Sequence, residues 1–182
     1  IYGFVMVADE IVDTFFEVDL SKVLDDFEIE TYLAIQNKYS SNLILHAFQS
    51  VVNTYAINED LIKSFFLSMR ADLSEKNHDS QSYQKYVYGS AEVVGLMCLR
   101  VFTNNDKNLY DKLEAPAKKL GSAFQKVNFF RDIREDYNEK GRTYFPGFEI
   151  SKNLNEKQKS SIENEINSEF EEAIKGIYSC LL

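Results

Sequence analysis

The sequence predicts an all-α protein folded as one domain over residues 1–182. It contains only 2 Pro and 7 Gly, so few positions interrupt or end a helix. Apolar residues recur three and four positions apart, which is the spacing of one helix face. We find no convincing alternation of apolar and polar residues of the kind that marks a strand.

Short polar breaks divide the first half of the chain into predicted helices. We expect helices at 1–16, about 20–36, about 42–56 and about 59–74. The segment KYSSN at 38–42 ends the second helix and offers a cap for the third. Asn58 is the expected N-cap of the fourth, where Glu59 and Asp60 suit the positive end of the helix dipole.

The second half is expected to hold longer helices. In the helix predicted at 81–103, Gly89 and Gly95 allow close approach of a neighbouring backbone or a ligand. Pro116 suits the first turn of a helix, or a kink between two, and the helix from there to about 138 stops at Lys140-Gly141. A charged helix from Asn155 follows, whose helically spaced apolar positions are Ile162, Ile166, Phe170, Ile174 and Ile177.

Composition excludes several classes of protein. The net charge of −9 argues against a nucleic-acid partner, which requires a basic face. The two cysteines, Cys98 and Cys180, lack metal-ligand spacing, as expected of reduced thiols in a cytoplasmic protein. No apolar run approaches the ~20 residues that span a bilayer. The chain starts without Met inside an apolar helix that soon becomes acidic, so we expect a fragment and no signal peptide.

Two acidic pairs are the first candidates for chemistry. Asp9 and Asp13 lie four residues apart, on one face of a helix, and so do Asp132 and Asp136. Like charges at this spacing repel, and burial among apolar residues is costly without a partner. A hard cation removes both penalties, and Mg²⁺ is usually held by one or two carboxylates together with substrate phosphates.

The second pair continues backwards along its helix. Gln125, Asn128, Asp132 and Asp136 form one stripe of oxygen-bearing side chains, and Arg131 beside them can fork onto a phosphate. The apolar neighbours Phe124, Val127 and Phe130 predict that this helix is buried. A lone DxxxD pair is more often a solvated face, and these charges could also form a surface ion-pair network. The combination of two apolar helices, each with an acidic pair, favours a metal site.

Four segments resemble the phytoene and squalene synthase family, and the resemblance extends over nearly the whole chain. They are IYGFVMVADEIVD, FFLSMRADL, YVYGSAEVVGLMCLRVF and LGSAFQKVNFFRDIREDYNEKGRTYFP, of which the last is the most specific. The resemblance implies a single helical bundle of the isoprenoid synthase type, with the two aspartate motifs facing each other across a central cavity. It also implies that an opening helix and the terminal helices of a full member are absent.

The resemblance assigns roles to individual residues. It makes Asp9, Asp13, Asp132 and Asp136 catalytic Mg²⁺ ligands, with Asn128 as a further metal contact. Tyr86 matches a tyrosine linked to diphosphate contact or proton handling. Gln125 matches an active-site amide, and Arg131 and Arg142 match arginines on the diphosphate side. Three departures are Met6 in place of a frequent arginine, Glu10 in place of a frequent aspartate, and Glu92 in place of a small residue.

The implied activity is a magnesium-dependent prenyltransferase that joins two prenyl diphosphates head to head. The middle segment looks closest to bacterial carotenoid enzymes, which favours phytoene from geranylgeranyl diphosphate through a cyclopropyl diphosphate. Farnesyl diphosphate, giving squalene or dehydrosqualene, is the alternative. A non-catalytic relative acting in assembly and a generic acidic helical module are alternatives from other classes. The apolar substrates also predict peripheral membrane contact, while oligomeric state stays open.

Overall fold

The structure, a computed structural model, describes residues 1–13, 18–74, 78–135, 138, 143–146 and 155–180. All regular elements within these ranges are helical, as the sequence predicts. The helices are α1 (Tyr2–Asp13), α2 (Leu20–Asn37), α3 (Leu43–Thr54), α4 (Glu59–Ser74), α5 (Ser80–Val87), a π-helical turn (Tyr88–Glu92), α6 (Val93–Phe102), α7 (Lys107–Glu135) and α8 (Glu156–Cys180). None of the described helices is both long and apolar enough to cross a membrane.

Side-chain caps fix several helix starts. The Asn42 side chain accepts hydrogen bonds from the first amides of α3, and Asp79 does the same for α5. Asn58 accepts from the amide of Asp60 at 2.9 Å, which confirms the predicted start of α4. These polar side chains satisfy backbone donors that a helix start leaves without a partner.

Two boundaries differ from the sequence prediction. The segment 81–103 is not one uninterrupted α-helix, because five residues form a π-helical turn between α5 and α6. Pro116 neither starts nor divides a helix, since α7 begins at Lys107 and contains it. Asp106 explains the earlier start, because its side chain accepts from the amide of Leu109 at 3.0 Å. Gly176 of α8 packs on Pro116, where an added Cβ would lie 2.2 Å from the proline Cβ.

The main core is built around Phe4 of α1. Its ring stacks on Phe48 of α3 with centroids 3.9 Å apart and planes 1° from parallel. Phe27 of α2 and Phe65 and Phe66 of α4 surround the same ring at 5.3–5.8 Å. Buried aromatic rings contribute the largest apolar areas, so this cluster fixes α1 against the three following helices.

A second aromatic cluster joins α5 to α7 and to residues 144–145. Tyr86 lies 5.9 Å from Phe129 of α7, and Phe129 stacks on Tyr144 at 4.2 Å. The ring of Phe145 lies 6.0 Å from that of Tyr83. Ile162 and Ile166 of α8 are buried against these rings. The cluster therefore brings the predicted site tyrosine next to the helix that carries the second aspartate motif.

Close backbone contacts fix the helix directions. A Cβ on Gly95 would lie 2.9 Å from the Ala117 carbonyl oxygen, and one on Gly121 would lie 2.7 Å from that of Ala91. Residue numbers therefore rise along α6 as they fall along α7, so the two helices are antiparallel. Val5 of α1 and Val94 of α6 line the same cavity, so α1 borders the space beside these two antiparallel helices.

Candidate functional site

A largely apolar cavity of about 590 Å³ lies between α1, α6, α7 and α8. Val5, Val94, Leu113 and Leu120 contribute to its walls. Gln125 is one of the few polar side chains on the wall, and it is half-buried. Such a cavity can hold an elongated apolar ligand.

On both α1 and α7, oxygen-bearing side chains continue along the helix from a residue on the cavity wall. On α1, Asp9 and Asp13 lie one and two turns beyond Val5, on the same face. On α7, Asn128 and Asp132 lie one and two turns beyond Gln125. Each polar stripe therefore continues along its helix from a residue on the cavity wall.

Asp9 is exposed and Asp13 is half-buried, so water and a ligand can reach the α1 pair. The Asp132 side chain is about one third exposed and is held by its neighbour Arg131. Two hydrogen bonds of 2.7 and 2.6 Å join the guanidinium to the two carboxylate oxygens. Arg131 is itself two-thirds exposed, so it can turn towards an anionic ligand without leaving a buried charge behind.

Tyr86 is buried, and its ring lies 5.9 Å from that of Phe129, next to Asn128 on α7. Its hydroxyl donates to Asp72 Oδ2 of α4 at 2.6 Å, and the Tyr144 hydroxyl donates to Asp72 Oδ1 at 3.1 Å. Burial raises the pKa of Tyr86 well above its ordinary value, and the charge of Asp72 raises it further. Tyr86 therefore stays a neutral phenol whose proton is directed at Asp72.

Comparison with known proteins identifies the chain. The family model for squalene/phytoene synthase matches residues 1–179. The chain belongs to the squalene/phytoene synthase family. It is 26% identical over 147 residues to a 4,4'-diapophytoene synthase of Staphylococcus haemolyticus, a match covering 80% of this chain and 50% of that protein. The chain thus spans about half the length of this curated relative.

A solved structure supports the same fold. The squalene synthase HpnC from Alicyclobacillus acidocaldarius superposes with a TM-score of 0.80 at 19% identity. The match covers 96% of this chain and 70% of that one. The predicted all-α, isoprenoid synthase fold is confirmed, and so is the family that the sequence segments resemble.

Not every predicted site residue of this family member can be placed. Asp136 and Arg142 lie outside the described residues. Within the described ranges, no group of three or more carboxylate, imidazole or thiol side chains could hold a metal ion. Asp9, Asp13 and Asp132 nevertheless supply the oxygen donors that Mg²⁺ prefers, and Mg²⁺ commonly uses one or two protein carboxylates and completes its shell with phosphate and water. The donor chemistry fits the metal.

The expectation that α7 is buried on its apolar side is wrong in part. Phe124 and Val127 are exposed, while Lys126 and Phe129 are buried. The reason is that α8 packs on the side of α7 that carries Lys126 and Ser122. Phe124 instead lies at the cavity, where its ring meets Phe170 of α8 edge-on.

The three departures from the family pattern fall outside the apolar cavity lining. Met6 and Glu10 are exposed on α1. Glu92 lines a different cleft of about 660 Å³, between α5, α7 and α8, which also contains Lys119 and Lys126. The substitution of a small residue by Glu92 therefore puts no charge on the cavity wall.

Asp72 and Tyr144 are site residues that the sequence reasoning missed. A buried carboxylate between two tyrosine hydroxyls has no spacing signature, because its partners come from positions 14 and 72 residues away. The available signal was indirect. Both residues lie inside segments that resemble the family, FFLSMRADL and the stretch ending in TYFP.

Proposed function

We propose that this chain catalyses the head-to-head condensation of two prenyl diphosphates, with geranylgeranyl diphosphate giving phytoene. One observation carries the proposal: an apolar cavity of about 590 Å³ has oxygen-bearing side chains continuing from its wall along two helices, α1 and α7. An apolar chain with a diphosphate head needs this division between an apolar wall and a charged end. Family membership supports the same reaction class.

The charged end is assigned to the diphosphates. Asp9, Asp13 and Asp132, with Asn128, would hold Mg²⁺ together with diphosphate oxygens. A metal ion held there would supply Lewis-acid stabilisation of the pyrophosphate leaving group. Arg131 adds a planar cation suited to bidentate contact with phosphate, and its exposure leaves it free to reorient.

The chemistry follows from leaving-group departure. The C–O bond of one substrate breaks, and its electron pair leaves with pyrophosphate, which gives an allylic cation. The double bond of the second substrate attacks this cation, and loss of one proton closes a cyclopropane. A second ionisation, rearrangement and proton loss give the linear hydrocarbon. Water would quench each cation, so the apolar lining protects the reaction.

Phytoene requires no reductant, whereas squalene requires NADPH. The two relatives are named for diapophytoene and squalene synthesis, so farnesyl diphosphate is the alternative substrate. The apolar substrates and products also support peripheral contact with a membrane, where such molecules dissolve.

The test is direct. The protein is incubated with Mg²⁺ and either geranylgeranyl or farnesyl diphosphate, pyrophosphate release is measured, and the hydrocarbon is identified by mass spectrometry. We expect phytoene from geranylgeranyl diphosphate and loss of turnover with EDTA. A folded protein that releases no pyrophosphate from any prenyl diphosphate would refute the enzyme and leave a non-catalytic role.

A matched pair of variants locates the reaction. Asp132→Asn should lower turnover by about 10²–10³-fold, the usual cost of losing a group that stabilises developing charge. Asp111→Asn removes a carboxylate from the same helix, where its ion-pair partner among the described residues is the exposed Lys107 at 2.5 Å, and should leave turnover unchanged. Equal turnover in the two variants would contradict the assigned site.

A further inference from the structure

Asp72 accepts hydrogen bonds from two tyrosines of the second aromatic cluster. It lies on α4 and is only 7% exposed. Its two carboxylate oxygens accept separate hydrogen bonds, from Tyr86 on α5 and from Tyr144 beyond α7. One side chain therefore couples three parts of the chain that are distant in sequence.

The rings of the two tyrosines are packed against other rings, in addition to the hydrogen bonds of their hydroxyls. Phe129 stacks on Tyr144 with planes 8° apart. The His78 ring packs on both, 5.1 Å from Tyr86 and 5.7 Å from Tyr144. Ring packing and the hydrogen bonds to Asp72 together restrict the orientation of each phenol.

This orientation has a chemical consequence. A phenol has a single proton, and both tyrosines donate theirs to Asp72. The phenol oxygens then present lone pairs, not protons, to any other neighbour. An oxygen that presents its lone pairs attracts a carbocation, and it also attracts a proton that leaves the carbocation. A hydroxyl that rotates freely could instead turn its positive hydrogen towards the cation.

The trio lies beside the second aspartate motif, to which the reaction is assigned. Tyr86 on α5 precedes Ala91, a cavity residue in the π-helical turn, by five residues. Phe129, which contacts both tyrosines, is adjacent to Asn128 and three residues before Asp132 on α7. The tyrosines therefore lie alongside the polar stripe of the second aspartate motif.

We propose that Asp72 is a positioning residue that sets the hydroxyl orientation of Tyr86 and Tyr144 for the head-to-head reaction. The inference rests on the proposed function. Stability alone does not account for the carboxylate, because a buried charge in a polar cluster is often replaced by apolar side chains at no cost. A role in orientation needs the carboxylate itself.

The experiment is a double-mutant cycle on turnover of geranylgeranyl diphosphate. Asp72→Asn, Tyr86→Phe and the double variant are compared with the unmodified protein, measuring kcat and KM separately. Asn offers one acceptor where Asp offers two, so at least one hydroxyl must reorient. We expect each single variant to lose about 10–100-fold in kcat, as for other orienting partners, with KM within about twofold. The double variant should be no slower than the worse single variant.

Tyr83→Phe is the matched control. Tyr83 precedes Tyr86 by three residues, lies in the same aromatic cluster, and its buried hydroxyl has no hydrogen-bond partner among the described residues. Removing that hydroxyl should leave kcat unchanged. If Asp72→Asn does not fold, the variant combining Asp72→Leu, Tyr86→Phe and Tyr144→Phe replaces it. The kcat of this triple variant should equal that of the double variant that carries Tyr86→Phe and Tyr144→Phe.

Each result has a definite meaning. Losses that multiply in the double variant, or a kcat for Asp72→Asn equal to that of the unmodified protein, overturn the positioning role and leave the proposed function standing. No product from the unmodified protein with any prenyl diphosphate overturns the function, and the positioning role falls with it. If Tyr83→Phe lowers kcat as much as Tyr86→Phe does, the loss reflects general packing of the aromatic cluster. That result would also reject the positioning role.

Discussion

Glu169 of α8 is expected to hold one wall of the cavity in place. Its carboxylate accepts from Ser122 at 2.8 Å, Lys126 at 3.0 Å and Lys119 at 3.2 Å, all on α7. The Lys126 side chain is only 7% exposed, and its second partner is Glu165. These contacts join α7 to α8, so their loss should loosen the wall that the two helices share.

The magnitude follows from burial. Glu169→Ala leaves the buried Lys126 ammonium with Glu165 alone and removes the acceptor of Ser122, which should cost about 3 kcal/mol. Glu165→Ala removes a side chain that is 53% exposed and leaves Lys126 paired with Glu169, so its cost should stay below about 1 kcal/mol. At roughly 2–4 °C per kcal/mol, Glu169→Ala should lower the melting temperature by about 6–12 °C. Glu165→Ala should lower it by less than about 4 °C.

The assay is thermal or urea unfolding of both variants, with circular dichroism as the signal. Burial alone would raise the pKa of Glu169, but hydrogen bonds from Ser122 and Lys126 outweigh it and hold the pKa below its ordinary value. A carboxyl with a depressed pKa stabilises the fold above the ordinary value of about 4.5, and this contribution disappears as the pH falls through the folded-state pKa. The gap between Glu169→Gln and the unmodified protein should therefore narrow in acid. Equal costs for the variants at positions 165 and 169 would refute the reasoning.

Three further predictions test the cavity and its charged end. Burial raises the pKa of the Cys98 thiol, so in a Cys180→Ser background iodoacetamide should react slowly at pH 7 and faster as the pH rises. A bound prenyl thiodiphosphate should slow that reaction further, and no protection would contradict the cavity assignment. Gly121→Val should cost at least about 2 kcal/mol in urea unfolding, since even a Cβ would lie 2.7 Å from a carbonyl oxygen of the π turn. Met6→Arg, one turn before Asp9, should lower KM severalfold at low salt, whereas Tyr2→Arg, one turn further away, should not.

The sequence predicts features that depend on local chemistry. Asn42 and Asn58 start helices because their side chains satisfy nearby amides, and this requires only a few consecutive residues. The acidic pairs could be placed on helix faces for the same reason, since four-residue spacing is a property of the helix itself.

Features that depend on tertiary contacts could not be predicted. The π turn places Gly89 where an added Cβ would lie 2.4 Å from the Ser64 carbonyl oxygen on α4, a contact that sequence spacing does not encode. The exposure of Phe124 depends on which side of α7 is covered by α8. Asp72 looks like a surface acid near the end of α4, and only the folded chain shows that two tyrosines bury it.

Glu92 provides a test of whether the reaction takes place in the apolar cavity or in the cleft that contains Lys119 and Lys126. Burial raises the pKa of its carboxyl, while the charge of Lys118 opposes the rise, and the structure gives it no hydrogen bond or ion pair with another described residue. An acid with a raised folded-state pKa destabilises the fold above its ordinary pKa and has no such effect when both states are protonated. Glu92→Ala should therefore raise the melting temperature by about 1–3 °C at pH 7 and by less at pH 4. Because Glu92 faces the cleft with Lys119 and Lys126, turnover should not change. Lost turnover in a stably folded Glu92→Ala protein would show that the reaction uses the cleft, and the assignment of the apolar cavity would be wrong.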